Sequence, residues 1–134
     1  MSTARKIIEA ERHLEKIKKL SNSDFKLEFE NFGKAINDVF VHFLDEYNVK
    51  FGLKIEHISF EKFRTVAKKT GKIEAINFLI WYEKEYKKLK NNPEFGKLLE
   101  REFTPPQNQQ DAIRICSTLL DEIKKTIYYA YGNF

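Results

Sequence analysis

The chain has 134 residues, a length that suits one domain with a self-sufficient core. It is 42% apolar, 14% aromatic and 33% charged with a single cysteine, a mix that excludes a disordered tail and a disulfide scaffold, and its five Gly and three Pro are too few for the many tight turns of an all-β fold. The net charge of +4 is mild, so the distribution of charge decides more than its total: residues 21–58 hold four basic and seven acidic side chains, whereas residues 59–103 hold eleven basic and seven acidic.

Along the chain, apolar residues recur at helical spacing. Ile7, Ala10, Leu14 and Ile17 predict a helix over 4–20, with Ser2 or Thr3 able to cap its start and Ser21-Asn22-Ser23 closing it and offering N-caps for the next. Residues 24–51 carry the strongest pattern: Phe25, Phe29, Phe32, Ile36, Val39, Phe43 and Tyr47 follow at steps of three and four, one long helix. Phe40, Leu44 and Phe51 widen its stripe, Gly33 leaves room for close approach of another helix, and Gly52 suits a C-cap. Residues 53–58 connect to a short helix over 60–70, capped by Ser59 and ended by Gly71. A helix over 73–90 follows, apolar on several sides and therefore central. Asn91-Asn92-Pro93 breaks it before a short helix at 94–103, and after the loop at 104–108 the last helix spans 109–131, with Gly132 as its cap. The expected fold is an all-α, up-and-down bundle of about four long and two short helices in a single domain over 1–134, with short connections that favour antiparallel neighbours.

No catalytic motif stands in the chain. No His has a Glu three residues before it, so the paired ligands of a bundle di-iron site are missing. Asp38, His42 and Glu46 share one helix face, and a solvated acidic face explains them better than a metal. Cys116 lies on an apolar stripe and reads as an inert small hydrophobe. The glycines are isolated, so no phosphate loop forms. No metal and no cofactor are expected. The charged N-terminus lacks a signal peptide's apolar stretch, and no run approaches the roughly 18 apolar residues of a membrane span; with one cysteine, the reading is a cytoplasmic protein without a membrane partner.

Basic residues gather near helix ends, Lys68, Lys69 and Lys72 around Gly71 and Lys87 and Lys88 further on, where they complement helix dipoles and would contact phosphates if the fold converges them. Tyr128, Tyr129, Tyr131 and Phe134 crowd the end of the last helix. One stripe cannot hide them all, which points to an interface and a homodimer.

The segments Ala10-Glu11-Arg12-His13-Leu14-Glu15-Lys16-Ile17, Glu46-Tyr47-Asn48-Val49-Lys50-Phe51-Gly52, FEKFRTVAKK at 60–69 and FLIWYEKEYKKLK at 78–90 resemble small HEPN-like α-helical proteins of prokaryotes, over residues 10–103. The resemblance implies a helical bundle that dimerises, and membership of a family rich in ribonucleases from toxin–antitoxin and defence systems. The family's signature is an Arg and a His with four to six residues between them. Arg101 stands at the matching place, but positions 106–108 are Pro, Gln and Asn, so the acid–base group is absent. The resemblance therefore implies a non-catalytic binding protein for RNA or a protein partner, with Lys68, Lys69, Lys72, Lys87, Lys88 and Arg101 making the contacts. The alternatives are a ribonuclease with non-standard residues near Arg101, His13 or His57 among them, and a structural homodimer.

Overall fold

The computed structural model describes residues 2–21 and 24–134, so Asn22 and Ser23, two of the expected caps, lie outside the described residues. It contains six helices and no strand among those residues: α1 (Thr3–Lys19), α2 (Phe25–Lys50), α3 (Phe60–Thr70), α4 (Ile73–Asn91), α5 (Pro93–Leu99) and α6 (Gln109–Asn133). None of these helices is long and apolar enough to cross a membrane. The periodicity located every helix to within a few residues. Two ends differ from expectation: α5 stops at Leu99 rather than 103, and α6 runs through Gly132 to Asn133.

The helices pair in opposite directions around α2. Lys6 reaches Asp38 (3.7 Å) and His13 Nδ1 meets Glu28 Oε2 (2.6 Å), so rising numbers in α1 meet falling numbers in α2. The same holds for α1 and α6, where Lys124 pairs with Glu11 (2.7 Å) and Gln109 Nε2 donates to the carbonyls of Ile17 (2.6 Å) and Leu20 (2.7 Å). On the opposite side α2 presents Phe40, Phe43 and Tyr47 to α4. Phe40 packs on Tyr86, Phe43 on Tyr82 and Tyr47 on Phe78, again antiparallel. The expected stripe of α2 is the core: Phe25, Phe32, Ile36, Val39 and Phe43 are essentially inaccessible to solvent. Burying each such side chain contributes roughly 1.5–3 kcal/mol of transfer free energy.

Polar side chains satisfy the helix ends. Ser2 Oγ accepts from the Arg5 N–H (3.3 Å), and the Thr3 N–H donates to Glu46 Oε1 (2.8 Å), so α2 supplies a cap to α1. Ser59 and Asn92 cap α3 and α5 through Oγ and Oδ1. Lys72 Nζ donates to the Phe51 carbonyl (2.7 Å) at the C-terminus of α2, where a cation also meets the negative end of the helix dipole. Asn48 clamps the α2–α3 connection by donating to the Ile55 carbonyl (2.9 Å) and accepting the Ile55 N–H (3.0 Å).

The end of α5 needs a particular fit. Gly33 faces Phe103 and Leu98 so closely that a methyl group there would overlap the Phe103 ring. Four residues on, the buried Asn37 donates through Nδ2 to the carbonyls of Gly33 (2.8 Å) and Leu98 (2.9 Å). α2 thus grips the last turn of α5 and the strand of chain that leaves it. That turn closes by two bonds, Glu102 N–H to Lys97 O (2.8 Å) and Arg101 N–H to Leu98 O (3.1 Å), which puts Arg101 in the left-handed region at φ +64°. This is the C-terminal position that glycine usually fills.

Candidate functional site

Because α3 and α5 are short, they cover α4 and α2 incompletely and leave an open groove of about 620 Å³ between them. α2 lines it with Asn37, Phe40, Val41 and Leu44, α3 and its cap with Ser59, Phe60 and Glu61, α4 with Tyr82, Glu83, Tyr86, Lys87 and Lys90, and the end of α5 with Leu99 and Arg101.

The wall is aromatic and ordered. Phe60 stacks on Tyr82 (5.6 Å between ring centroids, 27° between planes), and Tyr82 lies nearly parallel to Tyr86 (5.8 Å, 24°). Phe40 meets Tyr86 edge-on at 5.1 Å and fixes its ring. Tyr82 is buried, while Phe60 and Tyr86 are half-buried and present ring surface to the groove. Burial pushes the Tyr82 phenol well above its usual pKa, with the neighbouring Tyr86 adding to the shift. Tyr86 is also raised by burial, offset in part by the Arg101 charge. Both phenols therefore stay neutral donors at physiological pH.

Some charges of the bundle are paired, Lys6 with Glu9 and Asp38, Lys124 with Glu11, and Arg114 with both oxygens of Glu94 (2.9 and 2.7 Å), while others, such as Lys68, Lys69 and Lys97, make no ion pair with a described residue. In the groove, Lys87 and Arg101 likewise make no ion pair with a described residue, and neither do Glu61 and Glu83. Lys90 has only an exposed contact with Glu100 at 3.4 Å, a pair of little net strength in water.

Of the basic residues singled out in the sequence, the fold gathers Lys87 and Arg101 and adds Lys90, a helix-end lysine with no distinguishing signal. Lys68 and Lys69 are exposed in the last turn of α3, outside the groove lining, Lys72 is occupied at the end of α2, and Lys88 pairs with Glu85 at 3.6 Å. Glu61 and Glu83 went unnoticed because isolated acids at helical spacing look like any solvated face. His13 is held by Glu28 on the α1–α2 hairpin and His57 is exposed in the connection before α3, and neither lines the groove. Asp38 and Glu46 serve packing: Asp38 pairs with Lys6, and Glu46 accepts both the Thr3 N–H and the Tyr131 hydroxyl (2.8 Å). Among the described residues no three His, Cys, Asp or Glu side chains are arranged to hold a metal ion. Cys116 is buried on α6, and burial drives its thiol pKa up, away from reactivity.

The C-terminal aromatics form a second region. Tyr129 stacks on Trp81 (5.6 Å, 18°), Phe134 packs against Trp81 and Phe78, and Tyr131 meets Phe43 at 6.2 Å. Tyr128 is 64% exposed, Tyr129 52% and Tyr131 45%, whereas Phe134 is half-buried, so Phe134 belongs mainly to the bundle's own packing.

No protein-family model matches this chain, and no curated protein or solved structure gives a significant match.

Proposed function

We propose that this protein is a non-catalytic binding protein of the HEPN-like, up-and-down bundle kind, acting in the cytoplasm, and that it holds single-stranded RNA in the groove between α2, α3 and α4. The observation that carries the reading is the pairing of half-exposed aromatic rings, Phe60 and Tyr86, with cations that the protein leaves unneutralised, Lys87 and Arg101. Aromatic faces stack on unpaired bases and cations track the backbone, the two elements of single-strand recognition. A ribonuclease centred on Arg101 would need an acid–base group beside it, and no histidine lines the groove.

Fluorescence anisotropy with a labelled single-stranded decaribonucleotide tests this. Binding is expected at low salt, with log K falling against log salt at a slope of about −2, as for three cations on a single strand. Tyr86→Ala is expected to weaken it by roughly five- to a hundred-fold, the range for losing one stacked base. No binding at low salt contradicts the reading and leaves a protein as the groove's occupant.

A homodimer through the C-terminal aromatics is supported by a separate observation. Tyr128 and Tyr129 expose more than half of their surface, Tyr129 while stacked on Trp81, and Ile73 and Ile80, seven residues apart on α4, are 74% and 63% exposed. Light scattering at micromolar concentration should give twice the chain mass, falling towards the monomer in Tyr128→Ser/Tyr129→Ser.

A further inference from the structure

The buried side of α4 is formed by Ala75, Phe78, Leu79 and Tyr82, and the stripe opposite is Ile73, Asn77, Ile80 and Lys84, all exposed. Steps of four, three and four keep these residues in line along the helix, on the side away from the bundle. Other exposed aliphatic side chains, Leu27 and Val49 among them, stand singly, which is ordinary for a protein surface. Here two isoleucines lie two turns apart on one face. Next to Ile80 stands the half-buried Trp81, which stacks on Tyr129 and so joins the face to α6.

The charges beside the isoleucines are ordered along the helix. Glu74 lies in the first turn of α4 and Lys84 ends the stripe. Ten residues, about 15 Å at helical rise, separate them, and the level midway between them is that of residue 79, one before Ile80. A surface that binds its own copy about a two-fold axis must be complementary to itself, so that residue i meets j and j meets i. Two antiparallel copies of α4 crossing at that level meet the condition. Ile80 of each lies at the axis, and Glu74 of each faces Lys84 of the other, with Ile73 against the apolar stem of that lysine. Parallel copies would instead set Glu74 against Glu74 and Lys84 against Lys84.

We propose, resting on the homodimer reading, that the second copy docks on this face of α4, antiparallel and in the register that sets Glu74 against Lys84, with Tyr129 at the edge of the contact. The isoleucines supply the apolar area. The two symmetry-related ion pairs fix direction and register.

Oxidative crosslinking and a charge swap test the face and the direction separately. Ile80→Cys is expected to give a covalent dimer on mild oxidation, because a disulfide needs Cα atoms within about 7 Å and position 80 lies beside the axis. Leu27→Cys, similarly exposed but on α2, is expected to give none, and the native Cys116 is buried and adds no background. Glu74→Lys and Lys84→Glu are each expected to weaken the dimer in analytical ultracentrifugation by roughly two- to thirty-fold, the loss of two exposed ion pairs. Glu74→Lys/Lys84→Glu is expected to restore it, since the reversed charges meet again. The substituted positions are all exposed, and circular dichroism confirms that the variants are folded. A dimer that gives no crosslink at position 80 overturns this face and leaves the homodimer reading standing. A crosslink at position 80 without rescue by the double reversal overturns the antiparallel register. A monomer at every concentration overturns the homodimer reading and this inference together.

Discussion

The molecule has two partly exposed aromatic regions, and they differ in what surrounds the rings. At the C-terminal end, Trp81, Tyr129 and Phe134 pack on one another, and the Tyr131 hydroxyl is taken by Glu46. In the groove, the rings of Phe60, Tyr82 and Tyr86 lie in a near-parallel row beside Lys87 and Arg101, whose charges nothing in the described chain neutralises. Exposed aromatics that pack mainly on one another suit a contact with another apolar surface. Aromatic rings set in a row along an open groove beside cations suit a charged ligand that also stacks. The residue types are alike, and the arrangement of the rings separates the two uses.

Phe43 joins the regions, its ring 6.2 Å from both Tyr82 and Tyr131. Phe43→Ala therefore breaks both at once, and it carries the largest expected effect: a loss of about 3–5 kcal/mol in chemical denaturation, as for other buried Phe truncations.

Alkaline pH reports on the tyrosines around Glu46. Tyr47 and Tyr131, which flank Glu46, have phenols pushed up to about 12, by burial first and then by the nearby Glu46 carboxylate. A pKa raised in the fold means the neutral phenol is favoured there, so this stability is complete below pH 10 and is lost as pH rises from about 10 to about 12. After discounting for solvent screening, the loss is roughly 1 kcal/mol, and replacing Tyr131 with Phe should remove its share of the pH dependence.

A smaller effect sharpens the comparison on the groove side. Arg101→Gly relieves the left-handed strain and is expected to raise stability by less than about 1 kcal/mol, while RNA affinity falls several-fold. A variant that becomes more stable and binds less well separates the residue's conformational cost from its use. A fall in stability instead would show that the Arg101 side chain supports the fold.

Helix positions were legible in the sequence because the apolar stripes are long and regular: Phe25 to Tyr47 alone defines α2. The groove was not legible, because it is a gap left by two short helices and depends on where they dock. Docking is set by Gly33 against Phe103 and by Asn37 bonding Leu98, contacts between residues more than sixty positions apart. The early end of α5 was hidden for a related reason: Leu98, Leu99 and Phe103 keep a helical spacing, and Arg101 gives no glycine signal for the turn that stops the helix. Lys68 and Lys69 show the converse, since proximity in sequence to other lysines did not bring them into the groove.

Photochemical crosslinking of a short single-stranded RNA containing 4-thiouridine, followed by mass-spectrometric mapping of the attached peptides, sets the two aromatic regions directly against each other. The account predicts crosslinks on the α3 and α4 peptides carrying Phe60 and Tyr86, lost in Lys87→Ala/Arg101→Ala. Crosslinks confined to the peptide carrying Tyr128 and Tyr129, with the groove peptides unmodified, would contradict it.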